Sequence, residues 1–210
     1  MRAAGTQPRR TQAERRAETR ARLLDATIES LISDGYSGTT IRHVTERAGV
    51  SQGAQSHHFP HRVDLVASAF EHLAEQRIDR YSERARSLSG DRRVRLRALL
   101  DLLWEDFSSP LFIVAAKLWV ASADDAELRE RLIPVEKRIY AATAEVAREV
   151  AGDLGSEPGF DRKLAVAMNT VAGLALVREF DPSGRASRGN QWPYHRAALE
   201  QMLSAREGRA

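Results

Sequence analysis

Hydrophobic residues recur every three or four positions along most of the chain, which is the spacing of one face of an α-helix. In residues 21–33 the hydrophobic positions are Leu23, Leu24, Ile28, Leu31 and Ile32. No segment alternates between apolar and polar residues as a half-buried β-strand does, and no internal repeat is present. The pattern therefore predicts an all-α protein with about nine helices.

Capping residues, glycines and prolines divide this pattern into separate helices. Beyond residues 21–33, helices are predicted over residues 41–48, 51–58, 62–88, 92–107, 111–121, 124–151, 161–180 and 193–206. Asp124 and Glu127 have the spacing of a capping box, with Asp124 in the capping role, and Pro134 predicts a kink in the helix that follows. Residues 152–159 and 181–190 are expected to form loops.

Residues 40–59 form the most informative part of the sequence. Two short predicted helices, joined by Ala48-Gly49-Val50-Ser51, match a helix-turn-helix in length and in the position of the turn glycine. In that geometry the second helix presents its first turn to a DNA groove about 12 Å wide. The candidate contacts to bases are Gln52, Gly53, Ala54, Gln55 and Ser56.

The residue types in this segment suit DNA recognition. Glutamine can hydrogen-bond adenine through two atoms, and alanine or glycine permits close contact with thymine methyl groups. Thr40 and Arg62 each stand where a helix begins and could bind backbone phosphates. The alternative is an ordinary helical hairpin in a core. Three short helices that follow a basic segment and end at Pro60 disfavour this alternative.

The charge distribution also indicates a polyanionic partner. Residues 1–22 contain seven arginines and two glutamates, for a charge of +5, whereas the whole chain carries only +3. His43, His57, His58 and His61 are four of its six histidines. A basic arm before a segment rich in histidine and arginine favours nucleic acid, although such an arm could also be a solvated tail.

Composition and missing motifs exclude several other classes of protein. With no cysteine, the chain has no disulfide, thiolate nucleophile or cysteine-ligated metal. Its start lacks the apolar run of a signal peptide, and residues 164–177, the longest uncharged stretch, are too few to span a bilayer; we expect a cytoplasmic protein. The common motifs for phosphate binding, dinucleotide binding and hydrolysis are absent. The remaining alternatives to a DNA-binding protein are an all-α enzyme whose site is assembled in space and a helical small-molecule-binding protein without a DNA role.

A metal site is not expected either. His57 and His61 have the spacing of helical zinc ligands, but Pro60 should break the helix between them and no carboxylate supports the pair. No cofactor is therefore predicted. Histidines that are partly protonated beside phosphates are the preferred interpretation, and they would make DNA binding sensitive to pH.

Three segments resemble the DNA-binding signature of TetR/AcrR transcriptional regulators: Thr39-Thr40-Ile41-Arg42, Ala48-Gly49-Val50-Ser51-Gln52-Gly53 and His57-His58-Phe59-Pro60. The resemblance covers about residues 18–70; beyond them it extends only to length and helical character. It implies a flexible basic arm (residues 1–17), a DNA-binding domain (18–62) and a helical domain (63–210) that binds a small ligand and dimerises through its last two helices. The positions that the resemblance places at DNA are Thr40, Arg42, Gln52, Gly53, Ala54, Ser56, His57 and Arg62.

Two positions depart from the family pattern. Family members usually have a core leucine and a DNA-contacting tyrosine where this chain has Gln55 and Ser56. We therefore expect contacts to shift onto Gln55, His57 and His58.

The second half of the chain contains a candidate ligand site. Aromatic residues are concentrated between residues 104 and 119, and ligand pockets are mostly apolar with a few polar groups. The predicted ligand-binding residues are Trp104, Phe107, Phe112, Trp119, Tyr140 and Met168. If they do bind a ligand, the effector is a hydrophobic or aromatic small molecule. The alternative is that these side chains fill the core.

Residues 161–180 are apolar on nearly every face and rich in small residues, which suits burial on all sides. The predicted dimer interface comprises Leu164, Met168, Val171, Leu174 and Ala175, the alternative being a central helix of a monomer. Two recognition helices about 34 Å apart would read an inverted repeat in double-stranded DNA. We expect a homodimeric repressor in which ligand binding, acting through the helix over residues 62–88, favours a state unsuited to the operator.

Overall fold

A computed structural model describes residues 11–180 and 191–205 of the protein. Over those ranges it consists of helices joined by short turns and contains no strand. Its helices are α1 (Gln12–Ser33), α2 (Gly35–Gly38), α3 (Ile41–Ala48), α4 (Gln52–His58), α5 (Arg62–Arg86), α6 (Arg92–Phe107), α7 (Pro110–Ser122), α8 (Ala126–Ala151), α9 (Phe160–Phe180) and α10 (Trp192–Ser204), with a 3-10 helix at Gly152–Ser156. The all-α prediction is confirmed. The single-turn α2 and the 3-10 helix are additions that hydrophobic spacing cannot predict, because neither is long enough to show a period. The predicted loop at residues 181–190 lies outside the described residues.

The first helix starts nine residues earlier than its hydrophobic pattern suggests. Thr11 caps α1 by accepting a hydrogen bond from the Glu14 backbone N–H at 3.2 Å, while the Glu14 carboxylate accepts one from the Thr11 N–H at 2.7 Å. This capping box satisfies backbone donors at the start of the helix. Residues 12–17 are therefore helical, and the prediction of a flexible arm as far as residue 17 is wrong for them.

The longest helix of the chain, α8, begins differently from the prediction. Its N-cap is Asp125, whose carboxylate accepts a hydrogen bond from the Leu128 backbone N–H at 2.9 Å, and not Asp124. The helix then continues through Pro134 to Ala151. The capping residue is therefore one position later than predicted, and the helix begins at Ala126.

The chain divides into two compact units, Met1–Ala69 and Phe70–Ala210, and each has its own core. In the first unit, α1 packs against α3 and α4. One cluster of its buried hydrophobic residues comprises Leu23, Leu24, Ala26, Val44, Ala48, Phe59, Leu65 and Ala69. This packing holds the predicted helix-turn-helix on one side and leaves other faces of α3 and α4 open.

In the second unit, α6 is the central helix and contacts α7, α8, α9 and α10. Five of its leucines are almost completely buried, namely Leu96, Leu99, Leu100, Leu102 and Leu103. A helix buried on several sides needs apolar residues around most of its circumference, which these positions provide. Among the described residues, no helix is both long and apolar enough to cross a bilayer.

Candidate nucleic-acid interface and ligand cavity

The turn between α3 and α4 has the geometry that the sequence predicts for a helix-turn-helix. Gly49 adopts a left-handed conformation with φ of 62°. The Gly49 N–H donates to the Glu46 carbonyl at 3.2 Å and the Val50 N–H donates to the Thr45 carbonyl at 3.1 Å, which together form a Schellman motif. The turn thus ends α3 and redirects the chain into α4.

Arg22 of α1 holds this turn from the side. Its guanidinium donates to the carbonyl oxygens of Ala48 and Gly49, the latter at 3.0 Å. These carbonyls follow the last helical bonds of α3 and would otherwise need water as a partner. An arginine from the basic segment therefore has a structural role in the first unit.

The first turn of α4 is exposed, as a recognition helix requires. Ser51 caps the helix by accepting a hydrogen bond from the Ala54 N–H at 3.2 Å. Gln52, Gly53, Ser56 and His57 are exposed and Ala54 is partly exposed. No neighbouring atom lies within 4 Å of the position that a Gly53 Cβ would occupy, so a second molecule can approach the backbone closely there.

The start of α3 lies in the same unit and exposes two residues that the sequence predicts to contact DNA. Thr40 is its N-cap and is exposed, with its hydroxyl oxygen accepting from the His43 N–H at 3.2 Å. Arg42 is exposed and makes a surface ion pair with Glu46 at 3.4 Å. Such pairs contribute little stability, so Arg42 can exchange this partner for a phosphate at small cost.

Gln55 does not belong to the exposed surface, contrary to the sequence prediction. Only 3% of the residue is exposed, and its amide Nε2 donates to the Phe59 carbonyl at 2.5 Å. Because Pro60 follows Phe59 and cannot extend the helix, a side chain supplies the hydrogen bond at this end. Gln55 therefore stabilises the end of α4 and cannot read bases.

Arg62 is also engaged inside the first unit. Its Nε donates to the Thr39 carbonyl at 2.7 Å, a second nitrogen donates to the Tyr36 carbonyl, and the guanidinium lies 3.9 Å from the centre of the Tyr36 ring. These contacts fix the segment that leads into α3. These interactions use only part of the guanidinium group, so the predicted phosphate contact by Arg62 stays a prediction.

The helical start of α1 brings arginines to the end of α4. An Arg16 guanidinium nitrogen lies 2.5 Å from His57 Nε2, and Arg20 lies over the Phe59 ring at 5.6 Å from its centre. Burial lowers the pKa of His58, and the positive charges of His57, Arg16 and Arg20 lower it further. These effects disfavour the protonated form of His58 in the protein without DNA, and its predicted contact with a phosphate stays a prediction.

No group of three histidine, cysteine or acidic side chains within residues 11–180 and 191–205 has an arrangement that would hold a metal ion.

Four of the six residues predicted to bind a ligand surround one cavity in the second unit. The cavity has a volume of about 190 Å³, and these four are Phe107, Trp119, Tyr140 and Met168. Arg77 of α5, Glu136 of α8 and Asn169 of α9 supply the polar part of its lining. The arrangement is a small, largely apolar site with a few placed polar groups.

The other two predicted ligand residues lie elsewhere. Trp104 stacks on Trp192, with ring centres 5.0 Å apart and planes 9° from parallel. Phe112 is completely buried, with its ring centre 4.7 Å from that of Phe107 and 5.7 Å from that of Trp119. Phe112 therefore fills the core and Trp104 packs against it; neither lines the cavity, and the prediction is corrected for both.

Two carboxylates near the cavity differ in how their charge is balanced. Asp106 is paired with Arg77, whose Nε lies 2.9 and 2.7 Å from its two oxygens. Glu136 accepts a hydrogen bond from Trp119 Nε1 at 2.6 Å, and no cation of the described residues lies within ion-pair distance of it. Burial raises the pKa of Glu136, although the Trp119 hydrogen bond and the charge of Arg77 oppose the rise.

Comparison with known proteins agrees with these observations. The family model for bacterial regulatory proteins of the tetR family matches residues 23–69. The HTH-type transcriptional regulator CymR of Pseudomonas putida is 36% identical over 169 residues, which cover 80% of this chain and 83% of CymR. The uncharacterized HTH-type transcriptional regulator Rv2912c of Mycobacterium tuberculosis is 32% identical over 80% of this chain and 87% of its own length. A crystal structure of a transcriptional regulator from Rhodococcus sp. Rha1 has a TM-score of 0.65 at 27% identity, covering 88% of this chain and 93% of that one.

The chain belongs to the TetR family of bacterial transcriptional regulators. The resemblance found in the sequence is confirmed, and this protein is a DNA-binding transcriptional regulator and not an enzyme. TetR-family regulators bind DNA and small-molecule effectors. The exposed turn of α4 and the cavity of the second unit are the corresponding candidate sites in this chain.

The residues predicted to form the dimer interface of this TetR-family regulator lie mostly inside one chain. Leu164 and Val171 are completely buried, Ala175 is 2% exposed, and Met168 lines the cavity. Leu174 is partly buried. The first four are corrected to core or cavity residues, because α9 uses that side to pack against α6 and α10.

Sequence patterning alone misses three residues that serve these sites in the TetR-family regulator. Arg16 and Arg22 belong to α1, and the spacing of Thr11 and Glu14 is the signal that could have placed both on a helix. Glu136 has no comparable local signal. Its neighbours in the cavity come from α7 and α9, and only the tertiary structure brings them together.

Proposed function

We propose that this chain is a homodimeric repressor that binds an inverted repeat in double-stranded DNA through α4 and leaves it when a small molecule occupies the cavity. The exposed first turn of α4, held by the Gly49 turn, is the observation that carries the proposal. Its place of action would be the cytoplasm, where bacterial DNA is found.

The side chains available on this surface divide into two roles. Gln52, Gly53, Ala54 and Ser56 would contact base edges in the major groove, because they occupy the exposed side of a recognition helix. The residues that would contact the phosphate backbone are Thr40, Arg42, His57 and Arg16, which surround that helix with hydrogen-bond donors and positive charge. Phosphate contacts position a protein on DNA, and base contacts select the sequence.

A second copy of the chain would complete the DNA-binding unit. One short helix reads only a few base pairs, whereas two copies related by a twofold axis read an inverted repeat. On α9, Val166 and Val177 are 51% and 49% exposed and lie on one side of the helix with the exposed Gly173. Exposed apolar residues at this spacing favour a helix-to-helix interface, with the glycine allowing close approach.

The cavity would act on DNA binding through α5. This helix starts at Arg62 in the first unit and includes Arg77, which lines the cavity in the second. A ligand that binds better to a conformation with the wrong spacing of the two α4 helices would shift the population away from the operator.

The test is binding of the purified protein to labelled duplexes tiled across the DNA that flanks its gene, at two salt concentrations. One duplex bound far more tightly than the others, by two copies and with selectivity retained at the higher salt, is the expected result. Gln52→Ala should change the preferred sequence, whereas Gln76→Ala, at an exposed glutamine of α5, should not. Uniform weak binding that disappears with salt would contradict the proposal.

A further inference from the structure

The cavity of the second unit contains an acidic group, Glu136, that makes no ion pair within the part of the chain that the structure describes. Arg77 faces it with a positive charge, but only 8% of Arg77 is exposed and it pairs closely with Asp106. Glu136 keeps its carboxylate at the lining with one hydrogen bond, from Trp119. The net charge of the three groups is therefore −1.

Most of the other residues that line the cavity are aromatic or apolar. Phe107, Trp119 and Tyr140 come from α6, α7 and α8, and Met168 comes from α9. Faces of aromatic rings attract cations, and a carboxylate beside them adds a full opposite charge. The combination of rings with an uncompensated carboxylate is the chemistry that binds organic ammonium groups.

We propose that the cavity takes a small organic cation with an apolar or aromatic body, whose positive group pairs with the Glu136 carboxylate. The inference rests on the proposed role of the cavity as the effector site and specifies the class of effector. A cation supplies the ion pair that Glu136 lacks in this structure, while the hydrophobic part of the ligand covers the rings.

An anionic ligand fits these contacts less well. It would have to displace Asp106 from Arg77, which would leave a partly buried carboxylate without its partner, or lie beside the like charge of Glu136. A neutral ligand would leave Glu136 in a more apolar environment without a counter-charge. The raised pKa of Glu136 has burial as its main cause, which agrees with a carboxylate that gains most from a bound cation.

A larger groove of about 790 Å³ beside α6 and α10 differs in the pairing of its buried acidic residue. Its acidic residue, Glu200, is paired with Arg93 at 2.7 Å and with Arg97 at 3.0 Å, so its charge is already balanced. The cavity at Glu136 therefore differs from this groove in the feature that a cation would recognise.

Three probes of similar size and different charge test the proposal on the full-length protein. They are phenyltrimethylammonium, its neutral isostere tert-butylbenzene, and benzoate, with binding followed by tryptophan fluorescence, to which Trp119 in the cavity wall contributes. We expect the cation to bind at least about tenfold more tightly than the neutral isostere. Glu136→Gln, which keeps an acceptor for Trp119 Nε1 but removes the charge, should abolish this difference.

Glu145→Gln is the matched control, because it removes the same charge from an exposed position on the same helix and should preserve the preference for the cation. Circular dichroism verifies that both variants fold. Tighter binding of benzoate, an unchanged cation affinity in Glu136→Gln, or failure of all three probes at millimolar concentration would overturn the inference.

Operator binding measured on the same preparations without probe separates this inference from the proposed function. Cation binding with no operator found would contradict only the DNA-binding proposal. An operator released by benzoate or tert-butylbenzene, but not by the cation, would contradict only the class of effector proposed for this cavity.

Discussion

Gln52 and Gln55 carry the same side chain in different surroundings. Gln52 is exposed on the first turn of α4, where it can reach a base edge. Gln55 is buried and donates a hydrogen bond to the Phe59 carbonyl at the end of that helix. The first is available for recognition, and the second maintains the helix that carries it.

We predict that replacing these two glutamines by alanine affects different properties, stability for Gln55 and sequence preference for Gln52. Gln55→Ala should lower the free energy of unfolding by about 1–3 kcal/mol, because the Phe59 carbonyl loses its donor, and should preserve the order of preference among operator variants. Gln52→Ala should change that order and alter stability by less than about 0.5 kcal/mol. Urea denaturation and fluorescence anisotropy measure the two quantities. A changed sequence preference in Gln55→Ala would show that its side chain does reach DNA.

Tyr81 offers a second test at this scale. Tyr81 is 7% exposed, and its hydroxyl has no hydrogen-bond partner in the part of the chain that the structure describes. Burying an unpaired hydroxyl costs free energy. Tyr81→Phe should therefore leave the free energy of unfolding unchanged or raise it by about 1–3 kcal/mol.

Thermal and urea unfolding measure this effect. Tyr194→Phe is the control, because Tyr194 is 77% exposed and its hydroxyl reaches solvent; no change is expected there. A loss of stability above about 1 kcal/mol in Tyr81→Phe would mean that the hydroxyl has a partner in solution, such as an ordered water.

At the scale of the element, α4 and the turn before it depend on two glycines for different reasons. Gly49 has a left-handed backbone, and a Cβ there would lie 2.9 Å from an Arg22 guanidinium nitrogen. Gly53 is helical, and a Cβ there would meet no neighbouring atom. The fold requires Gly49, whereas Gly53 leaves the exposed backbone of α4 open to close approach by another molecule.

We predict that Gly49→Ala destabilises the protein by about 1–2 kcal/mol, because a Cβ is unfavourable in the left-handed region. Gly53→Ala should stabilise it by about 0.5–1 kcal/mol through higher helix propensity, and yet weaken operator binding by about tenfold by keeping the DNA at a distance. Thermal unfolding and anisotropy test both. If Gly53→Ala bound its operator as tightly as the wild type, this part of α4 would not approach DNA closely.

At the scale of the whole molecule, the exposed apolar face of α9 is the proposed contact between two copies. Val166, Gly173 and Val177 lie on the side of the helix that faces away from the core residues Leu164, Val171 and Ala175. Covering this face would remove exposed apolar area from water, which favours association.

We predict that Val177→Glu converts the dimer to a monomer and lowers operator affinity more than tenfold, because a buried, unpaired charge opposes the interface and one copy binds a single half-site. Val120→Glu is the matched control at a valine that is 76% exposed on α7 and should remain dimeric. Light scattering coupled to size-exclusion chromatography measures the mass. A dimeric Val177→Glu would mean that another surface joins the copies.

The amino-acid sequence by itself determined the helices and the helix-turn-helix, because these depend on short-range interactions. The hydrophobic period, the caps at Thr40 and Ser51 and the left-handed Gly49 all act within a few residues of their position in the chain. The DNA-binding assignment followed from them. Even the early start of α1 has a local cause, the capping box at Thr11.

The tertiary structure alone decided which side chains remain available for function. Gln55 carries a suitable group for DNA but uses it to bind the Phe59 carbonyl, and Arg62 donates to the Thr39 carbonyl 23 residues away. Glu136 becomes a candidate ligand-binding group only because other helices surround it with rings, while the one cation that their described residues contribute to the lining, Arg77, is paired with Asp106. A helical period shows that a residue faces the interior, but the partner it meets there depends on how the helices pack.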